Sequence, residues 1–575
     1  MKRSVSIFLM IVVMLGLGGF DTARADDLVR IELRFPDTLA GGAPAEFQVR
    51  ITVPGDRLAA LELRDMSRRT PDCPGVDYDV LSVVNADITA HDLRRDGRVD
   101  LVPRGPGPVE ITYRVSAVLR ADDVSINNVL ACSVVIVGAD NIFIDRRAMF
   151  PALRPVDETG EPFRFGEAEV RLIGWAGTGP VVFPSAEQVA PSIWHLDHLD
   201  DLRFSYLAAG RWTASPHRSR GNSVAVYGWP LDGDHAAAAA ALGDVSDMAG
   251  RVLDYLETAW GGEGIGGYSA LLLQTGGRHG EFAAFTATAQ GNAQAMFYGP
   301  GVAPAALRIG VAHEIAHIWA PGRLGSPNPD ATSHWIGEGL ADFASYRVLI
   351  ELGALEPSAL LDRANVALQN RQIAHTPELA DYDYGFLAWL RLDTGADGAL
   401  LSPGLDAFVR ALIDGHDAPI TAERFWSTAM RLGLWRGETD KAQLEQTMPC
   451  QLRTGGEDYN LVEGRWPRYA LGWELSDEQP GMIARIVEDG PAARAGLQAS
   501  DRILRLKSGG FGNIHRPVTA EFISGDERRS ASFLPRGEMG PQVYLQYVED
   551  VEVTRLWADI APPARCRPPA NQAVR

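Results

Sequence analysis

The sequence predicts a multidomain α+β fold, with a β-sandwich-like domain first, a mostly helical domain in the middle and a short strand-rich module last. Three observations carry this. The chain has 575 residues, too many for a single core and enough for roughly three or four domains. From Leu28 to about Asp145 apolar residues recur at every second position, the period of half-buried antiparallel strands. Helix signals then dominate from His235 to Arg436, and alternation returns from Tyr469.

Taken in order, the first residues read as an address. Lys2 and Arg3 precede an apolar run from Val5 to Leu17, and Ala23-Arg24-Ala25 offers the small residues a signal peptidase accepts. The run is shorter than the roughly 20 residues a bilayer needs. The expectation is a signal peptide over 1–25, export to a periplasm or beyond, and no membrane attachment after cleavage. Four cysteines, Cys73, Cys132, Cys450 and Cys566, suit an oxidising compartment. Three connectivities are open; separation into an early and a late pair favours Cys73 with Cys132 and Cys450 with Cys566.

The β domain is expected over 26–165. Leu28–Phe35, Phe47–Val53 and Val109–Val115 alternate cleanly, and Gly41-Gly42 and the stretch from Pro103 to Pro108 punctuate them. Strands continue at Glu169–Ile173 and Ser223–Tyr227. His235–Trp260 is alanine-rich and stops at Gly261-Gly262. Leu271-Leu272-Leu273 reads as a short buried strand, and Gly276–Gly301 as loop and edge strand. A short apolar helix, Val311–Trp319, ends at Pro321-Gly322. Thr332 or Ser333 can cap a further helix running through Glu338 to about Leu352, and helical segments fill Pro357–Arg436.

Composition is that of ordinary globular protein, 46% hydrophobic and 22% charged. A net charge of -20 repels phosphate backbones and anionic membrane surfaces, which excludes nucleic acid as an expected partner.

The chemistry concentrates at His313-Glu314-Ile315-Ala316-His317. Residues four apart on a helix share a face, roughly 5–6 Å between Cβ atoms, so both imidazoles can reach one zinc ion (Zn2+). Glu314 then sits where it can take a proton from an activated water. A catalytic zinc wants three protein ligands and an open position. Glu338, on the next predicted helix, is the third candidate, and Asp342, one turn beyond it, can accept the free ring N–H of a ligating histidine.

Two helices bearing His-Glu-x-x-His and Glu-x-x-x-Asp resemble the gluzincin pattern of thermolysin-like metallopeptidases. Within that group the chain resembles the glycyl aminopeptidase family, which joins a β-rich domain, a thermolysin-like zinc peptidase domain and a C-terminal PDZ domain. Trp335-Ile336-Gly337-Glu338-Gly339 matches the family's Trp-x-x-Glu-Gly form. Leu199–Gly210, Tyr382-Asp383-Tyr384-Gly385 and Pro491–Leu497 are similar to further family segments. The resemblance implies a catalytic domain over 166–455, a PDZ domain over 456–562 and a tail over 563–575. It implies peptide hydrolysis on peptides or unfolded proteins, with Glu314 as general base and Tyr382 as donor to the anionic intermediate; Tyr384 is the rival donor.

One departure bears on specificity. The family carries, on an edge strand before the zinc helix, a glycine followed three residues later by a glutamate that binds the substrate's free amine. Here Gly291-Asn292-Ala293-Gln294 is the nearest match, with an amide in place of the charge; Glu281 is an alternative carboxylate. Aminopeptidase and endopeptidase modes both stay open. In the last module Leu471-Gly472-Trp473 would form the backbone nest for a C-terminal peptide carboxylate, and Ser500 stands where a glycine is usual before Asp501. His195 and His198 lie in a predicted strand-loop segment at the surface, whereas His334, one turn before Glu338, fits either the lining of the cleft or a solvent-facing helix N-terminus. The rival reading is a catalytically inactive gluzincin and PDZ scaffold that binds peptides.

Overall fold

The computed structural model describes residues 28–35, 46–64, 78–92, 98–116, 119–120, 124, 129, 134–138, 141–145, 150–174, 181–184, 186–199, 202, 205–219, 222–229, 235–262, 267–275, 285–290, 292–299, 302–320, 323–324, 334–372, 377–394, 403–414, 420–435, 450–454, 457–476, 479, 481–508, 514, 517–547, 562–563 and 566. The expected signal peptide, Cys73, Cys132, Glu281, Gly291 and most of the 563–575 tail lie outside them.

The described residues of the first part of the chain form three sheets. Seven strands run in the order β14 (Glu187–Ala190), β15 (Ile193–Leu196), β12 (Ala168–Ile173), β1 (Val29–Arg34), β2 (Glu46–Val53), β7 (Val109–Ser116), β4 (Tyr78–Val84). Four run β11 (Ala152–Val156), β3 (Ala60–Arg64), β6 (Arg98–Pro103), β5 (Ala86–Asp92). Five run β13 (Val181–Val182), β16 (Tyr206–Gly210), β10 (Asn141–Asp145), β9 (Val135–Val137), β8 (Leu119–Arg120). The alternation seen in the sequence is the burial pattern: Val29, Ile31 and Leu33 are at most 1% exposed and pack with Phe47, Val49 and Ile51. The expected boundary at 165 is corrected. β12 pairs in parallel with β1, and β16 pairs with β10, so the β region runs through Gly210. Pairing partners distant in sequence leave no local mark of which sheet a strand joins.

The middle region opens with a five-stranded sheet in the order β17 (Thr213–Ser219), β18 (Asn222–Trp229), β19 (Gly267–Gln274), β21 (Ala293–Tyr298), β20 (Phe285–Gln290). β20 is its edge and runs antiparallel to β21. The helix α1 (His235–Trp260) crosses from β18 to β19. Among the described residues six more helices follow: α2 (Pro304–Ala316), α3 (His334–Glu351), α4 (Ser358–Gln372), α5 (Pro377–Asp393), α6 (Pro403–Asp414) and α7 (Ala422–Arg431). Leu271-Leu272-Leu273 is buried on both faces, as an uninterrupted apolar run in a covered sheet must be. Leu272 joins the helical core with Tyr268 and Met296. Leu271 and Leu273 pack against Phe143 and Tyr206 of the preceding β region.

The C-terminal part carries a second correction. β22 (Gln451–Thr454), β23 (Glu457–Tyr469) and β29 (Arg536–Tyr547) form one sheet, and its Leu452, Leu461 and Leu545 belong to the helical core. Asn365 of α4 bonds the Leu545 backbone in both directions, at 2.8 and 3.1 Å. What stands apart is 470–535, inserted between β23 and β29. It contains β24 (Trp473–Leu475), β25 (Ile483–Ile486), the single-turn α8 (Pro491–Arg494), β26 (Arg502–Ser508), β27 (Val518–Ser524) and β28 (Glu527–Phe533), around its own core of Ile483, Leu497, Ile503, Val518 and Phe522. The expected division at 456 therefore cuts through a sheet that packs on the middle region. Cys450 and Cys566 form a disulfide, the late pairing expected.

Candidate metal centre

α2 starts at Pro304, whose missing N–H costs nothing in a first turn. Val311, Ala312, Ile315 and Ala316 are fully buried, which leaves His313 and His317 a shared face toward α3. The α-helix ends at Ala316, before the expected stop, yet His317 keeps helical backbone angles of φ -64° and ψ -15°. The one-turn spacing therefore survives, with ring centroids 4.8 Å apart. His317 Nδ1 is hydrogen-bonded to the carbonyl of Ala320. A carbonyl only accepts, so Nδ1 carries the proton and Nε2 is left with its lone pair.

Glu338 reaches both rings from α3: its Oε2 lies 3.5 Å from His313 Nε2 and 3.5 Å from His317 Nε2. The three ligand atoms all lie within 4.8 Å of one another. Donors around a tetrahedral zinc at about 2.0–2.1 Å are separated by about 3.3 Å, so two imidazoles and a carboxylate fit the ion in donor type and in spacing. Burial works to raise the Glu338 pKa, but the His313 hydrogen bond, the charges of both histidines and the Tyr382 hydroxyl more than offset it and bring it down to about 2. At neutral pH this group is a carboxylate.

Tyr382 arrives from α5. Its ring lies parallel to His313 at 6.2 Å, and its hydroxyl donates to Glu338. Burial, and then the Glu338 charge, push its pKa upward, so it stays a donor. Tyr384 is packed elsewhere, 3% exposed and edge-on to Trp335 at 4.7 Å. Of the two candidates, Tyr382 is the one at the site.

The approach of α3 and α5 depends on two glycines. A Cβ on Gly339 would overlap the backbone of Gly385, and one on Gly385 would lie 2.7 Å from Gly339 Cα and overlap the Trp335 carbonyl. Gly339 follows Glu338, and Gly385 comes three residues after Tyr382. The motif glycines are therefore the contact that brings ligand and tyrosine together. Trp335 anchors the same crossing, 1% exposed among Tyr384, Phe425 and Trp426.

Two expectations are corrected. Gln294 does not lie on the edge strand. It is on β21, covered by β19 and β20, and is 0% exposed, accepting from Tyr268 O–H at 2.7 Å through Oε1. Its place is under the site, where burial and then the Glu314 charge raise the Tyr268 pKa; Glu314 itself is 6% exposed. The misplacement has a physical source, because the turn between two adjacent antiparallel strands shifts every following residue from edge to interior. Asp342, expected to orient a histidine, accepts instead from Arg363 of α4, at 2.9 Å from Nε and 2.6 Å from Nη2. Nothing near Arg363 in the chain resembles a motif, so its role has no local mark in the sequence.

Elsewhere, His195 pairs with Asp197 at 3.8 Å on a strand of the β region, and His198 is exposed. The His334 side chain lies outside the described residues. At Leu471-Gly472-Trp473 the backbone turns at Gly472 with φ +87°, and the Gly472 carbonyl accepts from Val487 N–H at 2.9 Å. Ser500 adopts φ +75°, the left-handed conformation for which a glycine is better suited.

No protein-family model matches the chain, and no curated protein does. Among solved structures the chain is similar to an aminopeptidase N family protein from Idiomarina loihiensis. The two are 14% identical with a TM-score of 0.52, over 90% of this chain and 98% of that one. At this identity the likeness concerns the fold. An M1 zinc metallopeptidase from Deinococcus radiodurans also aligns. One structure, a mutant bound to a Tyr-Ser-Ala substrate, gives 12% identity and a TM-score of 0.42 over 73% of this chain and 91% of that one. Another gives 14% identity and 0.40, over 73% and 92%.

Proposed function

We propose that the chain is an exported zinc metallopeptidase with a thermolysin-like catalytic domain and a PDZ-like module at 470–535. The observation that carries this reading is the convergence of His313, His317 and Glu338 with Glu314 and Tyr382, from three separate helices. The aminopeptidase N family fold found in a solved structure supports it.

Zinc, when bound, lowers the pKa of its water toward neutrality and polarises the scissile carbonyl. His313 and His317 offer Nε2, and Glu338 its carboxylate, as ligands. Glu314, beside His313 in sequence, accepts the water's proton and returns it to the leaving amine. Tyr382 donates its hydroxyl proton in a hydrogen bond to the developing oxyanion. Hydrolysis balances: water adds across the C–N bond, the carbonyl carbon gains the hydroxyl and the nitrogen gains the proton. Burial of Gln294 removes it as an anchor for a substrate amine, so the peptide class is read as peptides or unfolded proteins without a fixed amino-terminal requirement. Leu471-Gly472-Trp473, with β24 beside it, would take a C-terminal peptide by strand addition.

The test is metal analysis of the purified protein together with peptide-library cleavage by wild type and Glu314→Gln. One zinc per chain in both, with kcat lower by roughly 10²–10⁴-fold in the variant, is expected. Unchanged cleavage in Glu314→Gln, or no zinc at neutral pH, would sink the reading.

A further inference from the structure

Resting on the peptidase reading above, we propose that Arg363 is a positioning residue for the reaction: its guanidinium bridges the helix of Glu338 to the helix of Tyr382 and sets how they meet. The fork engages Asp342 Oδ2 through Nε and Nη2 at 2.9 and 2.6 Å, and Asp383 Oδ1 through Nη1 at 2.7 Å. Asp342 lies four residues after Glu338, on the same face of α3. Asp383 is the neighbour of Tyr382. The second oxygen of Asp383 accepts from Asn370 at 3.0 Å, so α4 holds that carboxylate from two sides. All three side chains are largely buried, at 14% exposure for Arg363, 13% for Asp342 and 5% for Asp383. The guanidinium also stands 4.9 Å over the Phe386 ring.

The reason such a bridge matters lies at the crossing itself. Gly339 and Gly385 let α3 and α5 touch backbone to backbone, and beside them Trp389 Nε1 donates to the Ile336 carbonyl at 3.0 Å while Trp335 packs edge-on to Tyr384. These contacts hold the crossing from within; the rigid planar fork of Arg363 adds directional hydrogen bonds from a third helix, at the two residues next to the site. A small slide would move the Tyr382 hydroxyl relative to Glu338, and displacements of about 1 Å at a reacting group can cost on the order of 10²-fold in rate. Lysine at position 363 would keep the charge but place one point donor where a fork serves two carboxylates.

The experiment is a double-mutant cycle of Arg363→Lys with Tyr382→Phe. It uses the full chain and a peptide that the wild type cleaves, with kcat, KM, zinc content and thermal unfolding measured for each. Arg363→Lys is expected to lower kcat by about tenfold or more, with KM within about threefold and one zinc per chain retained. In the Tyr382→Phe background the same change should cost less than about twofold, because the residue acts through the tyrosine. An equal loss of kcat in both backgrounds, or a change confined to KM, overturns the proposal and leaves the peptidase reading intact. If Arg363→Lys does not fold, Asp383→Asn enters the same cycle with the same expectation. A wild type that binds no zinc and cleaves no peptide overturns the peptidase reading first, and this one with it.

Discussion

Tyr382 and Tyr384 are two residues apart, and their side chains lead separate lives. Tyr382 faces His313 and Glu338, while Tyr384 is locked against Trp335. Tyr382→Phe is therefore expected to lower kcat by roughly 10²-fold or more with little change in KM, as for loss of an oxyanion donor. Tyr384→Phe, which keeps the packed ring, should alter kcat by less than about threefold; steady-state kinetics on both variants checks the contrast. A second consequence concerns acid stability. The Glu338 pKa is depressed to about 2 in the fold from an ordinary 4.5, so the unfolded chain binds more protons between these values. Its contribution to stability is fully present above about 4.5 and is lost as pH falls toward 2. Denaturation of the metal-free protein across pH 2–5 should show this slope, and Glu338→Gln should flatten it.

At the scale of elements, the site is a meeting of helices more than a property of any one. α2 brings two histidines because four residues make one turn; α3 and α5 bring the carboxylate and the tyrosine because both are glycine where they cross. Glycine inside a helix costs about 0.5–1 kcal/mol relative to alanine, and here the close crossing offsets it. Gly339→Ala and Gly385→Ala should each destabilise by about 1–3 kcal/mol or more, since the obstacle is backbone and cannot rotate away. Zinc affinity should fall with them, measured by competition with a chelator. A Gly353→Ala control, at a helix end where an added Cβ meets nothing but φ is +68°, should perturb stability without touching zinc.

For the whole molecule, the inserted position of 470–535 makes a separable module. Tyr469 and Arg536 face each other in the ladder of β23 and β29, so a short Asn-Gly turn can join them after excision. The shortened protein is expected to fold, to keep one zinc per chain and to cleave short peptides within about threefold of the wild-type rate, because the excised segment has a hydrophobic core of its own. Loss of the fold would show that the module supports the core after all; circular dichroism and metal analysis decide it. The bond from Tyr469 N–H to Gln369 of α4, at 3.1 Å, is the neck contact whose integrity the excised protein should retain.

Helix period, alternation and the spacing of His313, Glu314 and His317 are properties of neighbouring residues, and so they were legible in the chain. Glu338 and Tyr382 were reachable by resemblance of their short motifs, and the structure brings both to the histidines. Three things were decided only by tertiary structure. Strand membership depends on pairing between distant segments, which moved the β boundary to Gly210 and returned β23 and β29 to the core. Whether a strand lies at an edge or inside depends on which segment pairs beside it, and β20 covering β21 placed Gln294 in the interior beside Tyr268. The partner of a buried carboxylate depends on which helix packs beside it, and that handed Asp342 to Arg363, twenty-one residues away and without any signal in the sequence between them.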